Sequence, residues 1–124
     1  MPQLLDERIH FITHKGKQVL LVDATNCSSE ELEKMSRLVP SYVTAEPKGS
    51  VLLLADVTGA RLDKKAMEQV KPALVFDRPH VKRSAWVGTE SIPKVFFEQL
   101  KAFSQRDLPS FKTREEALEW LVAE

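Results

Sequence analysis

Glycine is scarce in this chain of 124 residues, where it occurs only four times. None of the four falls in a G-x-G-x-x-G or a G-x-x-x-x-G-K-[ST] pattern, so the loops that cradle phosphates in nucleotide enzymes are missing from the sequence. Cysteine occurs once, at Cys27, which excludes an internal disulfide. The sequence therefore predicts neither a nucleotide cofactor nor a disulfide framework.

An excess of charge and a long apolar run are also lacking. The 18 basic residues equal the 18 acidic ones, so the overall charge does not favour nucleic acid or an anionic membrane as a partner. No apolar run is long enough to span a membrane, and no charged-then-apolar segment opens the chain. We therefore expect a cytoplasmic protein with one domain over residues 1–124, which buries roughly two-thirds of its unfolded surface.

Two apolar runs that end in aspartate organise the chain. Val51–Gly59 reads V-L-L-L-A-D-V-T-G, and Val19–Asn26 repeats the design as V-L-L-V-D-A-T-N. Continuous apolar runs are typical of strands that are buried on both faces in a parallel sheet. The pattern predicts neighbouring parallel strands, with Asp23 and Asp56 at their carboxyl ends, and function is expected at that rim.

Helix signals follow each run. Ser28–Glu31 and Thr113–Glu116 have the form of capping boxes, and Asp63 is the best cap for the helix between them. Pro40 and Pro72 fall inside helical patterns, so we expect a break near Val39 and an irregular end to the second helix.

The remaining elements complete an α/β pattern. Arg8–Thr13 pairs with the Val19 run as an antiparallel hairpin, Val81–Gly88 alternates as a strand, and Pro109–Lys112 suits a short edge strand. A third helix near Pro93 is predicted to bury the apolar residues of one stripe: Ile92, Val95, Phe96, Leu100 and Phe103. The predicted fold is a single mixed, mostly parallel sheet of about five strands, with about four helices.

Three phrases resemble a known group of domains. These are V-L-L-L-A-D-V-T in the central strand, V-K-R-S-A-W-V-G in the next, and F-K-T-R-E-E-A-L-E-W-L near the C-terminus. They resemble the STAS domains of sulfate transporters and anti-sigma factor antagonists, and within these the SpoIIAA-like proteins. That group is similar in fold to lipid-carrying Sec14-type domains, which implies a small apolar ligand or lipid as an alternative role.

The resemblance also implies what this chain does not inherit. In anti-sigma factor antagonists a D-S-S-G-type motif carries a serine that a partner kinase phosphorylates. Asp63 matches the aspartate of that motif, but Lys64 stands where the serine would be. The resemblance therefore implies a non-catalytic interaction or regulatory module without the phosphoserine switch.

The polar rim is the first candidate site, for a protein partner or a second copy of the chain. Its predicted members are the residues that follow the two buried strands or open the next helices: Asp56, Thr58, Gly59, Asp63, Lys64, Gly88 and Thr89. Asp23 and Asp56 could instead hold a divalent ion, and the Thr58–Gly59 and Gly88–Thr89 turns could bind an anion. The pattern favours the simpler interpretation, in which the carboxylates cap loops.

Other reactive residue types have no partners in the sequence. Cys27 precedes a helix N-terminus, where a thiolate is stabilised, but no base accompanies it and an inert thiol is favoured. His10, His14 and His80 lack metal-ligand spacing. The basic residues between Arg78 and Arg83 alternate between strand faces, which favours a solvated strand entrance over an anion site. We expect no enzyme activity, metal or cofactor.

The second candidate site is an apolar pocket near the third helix. Its predicted lining is aromatic and aliphatic: Phe96, Leu100, Phe103 and Trp120. These side chains would either line a pocket for a small apolar ligand or fill the core, and core filling is favoured because close-packed interiors need such residues.

Overall fold

The structure is a computed structural model that describes residues 5–105 and 108–123. The strands are β1 (Ile9–His14), β2 (Lys17–Asp23), β3 (Val51–Asp56), β4 (Val81–Val87) and β5 (Ser110–Phe111). The α-helices are α1 (Ser29–Val43), α2 (Lys64–Asp77), α3 (Lys94–Ser104) and α4 (Arg114–Val122). Within the described ranges no helix combines the length and the apolar character needed to cross a membrane.

The strands form one sheet in the order β1-β2-β3-β4-β5. β1 and β2 pair antiparallel, and every later pair is parallel, so the predicted mixed α/β fold is confirmed. The register places Asp23 opposite Asp56 at the carboxyl ends of β2 and β3. The predicted juxtaposition of the two aspartates is therefore confirmed.

Both faces of the sheet are buried, which explains the unbroken apolar runs. Leu20, Val22, Leu53 and Ala55 face a core shared with α1, α2 and α3. The residues that alternate with them, such as Leu21 and Leu54, face a second core beneath α4. Helices therefore cover both faces, three on one side and α4 on the other.

β4 follows the predicted alternation except at its first residue. Trp86 faces the core of α1 to α3, whereas Ala85 and Val87 face α4. Val81 also packs on the Trp86 side, although alternation would place it with Ala85. The pairing with β3 shifts register at the start of the strand, where Val51 pairs with Val81 and Leu52 with Arg83. This irregularity places one extra residue in β4, so the Val81 side chain faces the opposite side of the sheet from the one that alternation predicts.

Ser28, Asp63 and Thr113 cap their helices as predicted, although only Ser28 forms a full capping box, and the effect of the prolines differs from the prediction. Ser28 accepts a hydrogen bond from the Glu31 amide and the Glu31 side chain accepts one from the Ser28 amide, which confirms the predicted capping box. The predicted break near Val39 is wrong, because α1 continues through Pro40 to Val43. Val39 and Val43 are both buried, and their packing offsets the hydrogen bond that the proline removes. α2 likewise runs through Pro72 to Asp77.

The orientation of α3 differs from the prediction. Its buried residues are Phe97, Leu100 and Ser104. Val95 is 60% exposed and Phe103 is 53% exposed, so these two members of the predicted stripe point outward. The Phe97 ring packs edge-on against Trp86 with centroids 5.8 Å apart, and this contact sets the rotation of the helix.

Candidate functional site

Two loops with the same Asp-X-Thr sequence form the rim at the carboxyl ends of β2 and β3. Asp23 Oδ1 accepts hydrogen bonds from the Thr25 amide at 3.2 Å and from the Thr25 hydroxyl at 2.7 Å. Asp56 Oδ1 accepts the equivalent bonds from Thr58, at 3.0 Å and 2.7 Å. Both carboxylates therefore cap their own loops, and the predicted capping role is confirmed.

An arginine from α4 joins the two loops. Arg114 Nη2 lies 3.1 Å from Asp23 Oδ1, and Arg114 Nε lies 2.6 Å from Asp56 Oδ2. Arg8 approaches the same Asp23 oxygen at 3.5 Å and donates to the Thr25 carbonyl at 2.5 Å. The rim is thus a network of ion pairs that ties α4 and Arg8, the residue before β1, to the centre of the sheet.

This network occupies the carboxylates that could have held a divalent ion. The Arg114 guanidinium lies where a cation would need to sit. Among the described residues, no third His, Cys, Asp or Glu side chain joins the two carboxylates as a further metal ligand. Burial acts to raise the pKa of the Asp23 carboxyl. The Thr25 hydrogen bonds and the Arg114 and Arg8 charges outweigh burial, so the pKa lies below its ordinary value. The rim is built to keep Asp23 ionised and paired.

Cys27 lies beneath this network as a fully buried thiol. Its Sγ accepts a hydrogen bond from Arg8 Nη1 at 3.3 Å and lies 3.7 Å from Met35 Sδ. Burial raises the pKa of the Cys27 thiol above its ordinary value, and this outweighs the attraction of the Arg8 charge. A thiol that is buried and protonated is a poor nucleophile, which supports the inert interpretation.

The glycines of the rim use their backbone for close packing. The Gly59 amide donates to Ser91 Oγ at 2.7 Å, so it is not directed at an anion. Gly88 has a φ of 76°, and a Cβ on it would lie 2.6 Å from the Thr58 Cα. The two predicted anion-binding turns therefore pack against each other.

Other predicted rim residues differ in accessibility. Asp56 is 5% exposed and Gly88 is also buried, whereas Thr58 and Lys64 are exposed. Asp63 Oδ1 accepts a hydrogen bond from the Ala66 amide at 2.8 Å and caps α2. The described structure brings these loops to one end of the sheet but commits most of their polar groups to internal contacts.

A second feature is a cavity of about 100 Å³ between the sheet and helices α1, α2 and α3. This is several times the roughly 10–15 Å³ that one water needs. Its lining is apolar or aromatic except for Ser36 and Asp77. The residues that line it are Val22, Ala24, Leu32, Met35, Ser36, Val39, Leu53, Ala55, Val57, Leu62, Val70, Ala73, Leu74, Asp77, Trp86, Ile92 and Leu100.

The cavity comes nearest to solvent between α1 and α2. Of its lining residues, those that are only half-buried are Ser36 on α1 and Val70, Ala73 and Leu74 on α2. The lining residues of the strands and of α3 are buried. The half-exposed part of the lining therefore belongs to α1 and α2.

The four predicted pocket residues do not form one pocket. Leu100 lines the cavity, and Phe96 packs against the same core without lining it. Phe103 is exposed, and Trp120 lies on α4, across the sheet, with its ring 5.6 Å from Phe111. The prediction combined aromatic residues by type, but α3 and α4 cover opposite faces of the sheet.

Sequence reasoning missed the residues that define both sites. Arg114 was overlooked because its partner Asp56 is 58 positions away along the chain. Trp86 was also overlooked, although the alternation predicted for Val81–Gly88 puts it on the face opposite Ala85 and could have assigned it to the larger core. The contributions of α1 and α2 to the cavity had no signal beyond their apolar stripes.

The sheet order, the antiparallel first pair and the helices on both faces define an α/β domain of the SpoIIAA-like type. A solved structure with this architecture is an uncharacterised DUF3478-family protein from Shewanella loihica PV-4, described as having a SpoIIAA-like fold. The two chains superpose with a TM-score of 0.68 over 91% of each chain, at 19% sequence identity. The predicted resemblance in fold is therefore confirmed. No protein-family model and no curated protein matches the chain.

Proposed function

We propose that this SpoIIAA-like domain binds a small apolar molecule in the cavity between the sheet and α1 to α3. The observation that carries the proposal is the cavity itself, which is lined almost wholly by apolar side chains and opens to solvent. An apolar guest in such a space removes apolar surface from water, which favours binding. Binding sites for small molecules are typically such concave, mostly apolar spaces with few polar groups.

The state of the rim supports the cavity over the rim as the functional site. Asp23 and Asp56 are held by Arg114, and Asp63 caps α2, so these polar groups already have partners within the chain. The parallel strands also follow one another in sequence order, without the reversal that opens a ligand crevice in other α/β sheets.

The proposal includes that the domain binds without catalysing a reaction. The raised pKa of Cys27 and the ion pairs of Asp23 and Asp56 support this, because a nucleophile or base has to be reactive and accessible. We propose the cytoplasm as its compartment, in keeping with a single thiol that is buried and reduced.

The test is a titration with fluorobenzene, followed by the ¹⁹F signal of the probe. Wild type should show saturable binding. Ala73→Leu, which adds three carbons to a half-buried cavity residue, should weaken binding at least tenfold. The matched control is Ala102→Leu, the same change at an exposed helix position outside the cavity.

Two results would contradict the proposal. One is no saturable binding to wild type up to the solubility limit of fluorobenzene. The other is equal weakening by Ala73→Leu and Ala102→Leu, which would place the probe elsewhere. If fluorobenzene binds and only Ala73→Leu weakens its binding, native mass spectrometry of the protein purified from its own host would identify the natural ligand. The ligand would be seen as added mass that organic extraction removes.

A second candidate function is docking of a protein partner or a second copy. It is favoured by exposed apolar side chains near the C-terminal ends of α2 and α3: Val75 is 43% exposed, Phe76 62% and Phe103 53%. A hydrogen bond of 3.1 Å from Arg78 Nη1 to Gln105 Oε1 holds these two helix ends together. Exposed large apolar side chains are typical of interaction sites when they form one patch.

Two variants of α2 separate this surface from the predicted rim. Phe76→Glu places a charge in the apolar patch, and Lys64→Glu reverses a charge at the rim without disturbing the Asp63 cap. Sedimentation velocity reports self-association, and affinity capture from the native host reports other partners. Loss of association only in Phe76→Glu supports the apolar patch as the docking site, and loss only in Lys64→Glu supports the rim. Association that neither change affects contradicts both sites.

A further inference from the structure

A groove at the end of the sheet opposite the rim collects basic side chains. It is an open space of about 540 Å³, at the point where β2, β3 and β4 begin and α4 ends. Its basic members are Lys17, Lys82 and Arg83, and Gln18 and Ser50 add polar groups. None of the described residues that line it is acidic, although the whole chain carries no net charge. The groove is therefore a local concentration of positive charge.

The irregular start of β4 brings Lys82 and Arg83 to the same groove. Strict alternation would direct them to opposite faces of the sheet, and the sequence favoured a solvated strand entrance for that reason. In the structure Val51 pairs with Val81 and Leu52 with Arg83, so Lys82 is the extra residue. Such a bulge re-aims side chains, and both residues line the groove. The predicted separation of these two cations is therefore wrong.

Arg83 and Lys17 are held together at the end of α4. Arg83 Nη1 donates to the Trp120 carbonyl at 3.1 Å and to the Ala123 carbonyl at 2.6 Å. Lys17 Nζ donates to the Val122 carbonyl at 3.1 Å. Because Val122 and Ala123 are successive residues, the two cations converge on one turn of the chain. Side chains that are held in place before binding lose less entropy when a ligand binds.

Capping of α4 does not use all of the hydrogen-bonding capacity of these cations. The two carbonyls occupy Arg83 Nη1, and within the described residues Nε and Nη2 form no hydrogen bond. Lys82 is exposed and makes no hydrogen bond or ion pair to any residue that the structure describes. A guanidinium fork matches two oxygens of a phosphate, and an ammonium adds a point charge.

We infer that this groove binds a phosphate monoester, with Arg83 and Lys82 holding the phosphate oxygens. A phosphate monoester approaches two negative charges near neutral pH, so it satisfies several cations at once, whereas a carboxylate carries one charge. Gln18 and Ser50 are exposed and face the remainder of the ligand with polar groups. The groove shares no lining residue with the apolar cavity, so this inference is independent of the proposed function.

The test is a titration of ¹⁵N-labelled protein with glycerol 3-phosphate, followed by NMR chemical shifts. Saturable shifts are expected at the starts of β2, β3 and β4. Lys82→Gln removes a cation without disturbing a contact of the fold and should weaken binding by about threefold or more, the size of one exposed charge interaction. Lys65→Gln is the matched control, because it removes the same charge from an exposed position on α2 outside the groove. It should leave the dissociation constant unchanged.

Two further arms define the ligand. Glycerate, which carries a carboxylate in place of the phosphate, should bind more weakly than glycerol 3-phosphate. Flotation with phosphatidylcholine vesicles that contain phosphatidate asks whether the phosphate arrives on a lipid. Binding of glycerol 3-phosphate without capture by the vesicles assigns the phosphate to a soluble ester, whereas capture that Lys82→Gln weakens assigns it to a lipid headgroup.

Three results would overturn the inference. One is that neither glycerol 3-phosphate at millimolar concentration nor the vesicles bind the protein, both as wild type and as Glu124→Gln, which removes the acidic side chain that follows Ala123 in the sequence. Another is equal weakening by Lys82→Gln and Lys65→Gln, which would show that overall charge and not the groove attracts the anion. The third is equal affinity for glycerate, which would rule out a site built for phosphate.

Discussion

Arg114 Nε lies 2.6 Å from Asp56 Oδ2, and this contact ties the first turn of α4 to the end of the central strand. The Asp56 side chain is 7% exposed and the Arg114 side chain 39%, so the carboxylate is the more deeply buried partner. A buried carboxylate depends on its cation more than the cation depends on it. The contact therefore anchors α4, which covers one whole face of the sheet.

Replacing Arg114 by glutamine should destabilise the fold. The change leaves Asp56 buried with only its Thr58 hydrogen bonds, and we expect a loss of about 1–3 kcal/mol in the free energy of unfolding. Urea denaturation measures it. Lys112→Gln is the matched control, because it removes a positive charge from an exposed position two residues earlier. Equal losses in the two variants would show that net charge, and not the contact with Asp56, is responsible.

The Asp23 carboxyl should make stability depend on pH in the acid range. Its folded pKa lies below the ordinary value of 3.8, so its contribution is fully present above that value and is lost as the pH falls through the lower, folded pKa. The difference in unfolding free energy between wild type and Asp23→Asn should be constant near neutral pH. It should shrink as the pH falls below about 4. A difference that stays constant down to pH 2 would contradict a lowered pKa.

Gly88→Ala should be far more harmful than Gly16→Ala. Both glycines have positive φ, 76° and 79°, so each substitution carries a backbone cost of roughly 1–2 kcal/mol. A Cβ on Gly16 meets nothing within 4 Å, whereas one on Gly88 would lie 2.7 Å from the Thr58 backbone nitrogen. Thermal melting of the two variants measures the difference. Equal shifts would mean that the Thr58 loop moves aside without cost.

Elements whose signals are local could be predicted from the sequence. The capping residues Ser28, Asp63 and Thr113 each accept a hydrogen bond from an amide within the next three positions, so a short window contains both partners. The two apolar runs also lie within short windows of sequence, so they identified the buried parallel strands. The fold followed because the first three helix signals each fell between two strand signals and the fourth followed the last strand.

The sites could not be predicted in the same way. The Arg114–Asp56 pair spans 58 positions, and a sequence contains many arginines and aspartates that such a pair could combine. On α3, three apolar residues in succession, Val95, Phe96 and Phe97, fit more than one stripe, and only the contact with Trp86 selects Phe97. Cavities arise from imperfect packing of several elements, which leaves no mark in any one of them.

The prolines of α1 and α2 each lie next to a residue of the cavity lining. Pro40 follows the lining residue Val39, and Pro72 precedes Ala73. A proline inside a helix cannot donate to the carbonyl four residues earlier, which loosens that turn. We therefore expect Pro72→Ala to restore a hydrogen bond to Glu68, raise the free energy of unfolding by about 1 kcal/mol, and slow the uptake of fluorobenzene.

The exchange rate of fluorobenzene, from ¹⁹F line shapes, separates a change in access from a change in affinity. Pro47→Ala is the control. It raises the conformational entropy of the unfolded chain as Pro72→Ala does, but Pro47 lies in an exposed loop and not in a helix. Slower uptake and release in Pro72→Ala alone, at an unchanged dissociation constant, would place the entrance between α1 and α2. Unchanged rates of fluorobenzene uptake and release in Pro72→Ala would show that the ligand reaches the cavity by another route. The stiffened turn of α2 would then not lie on that route.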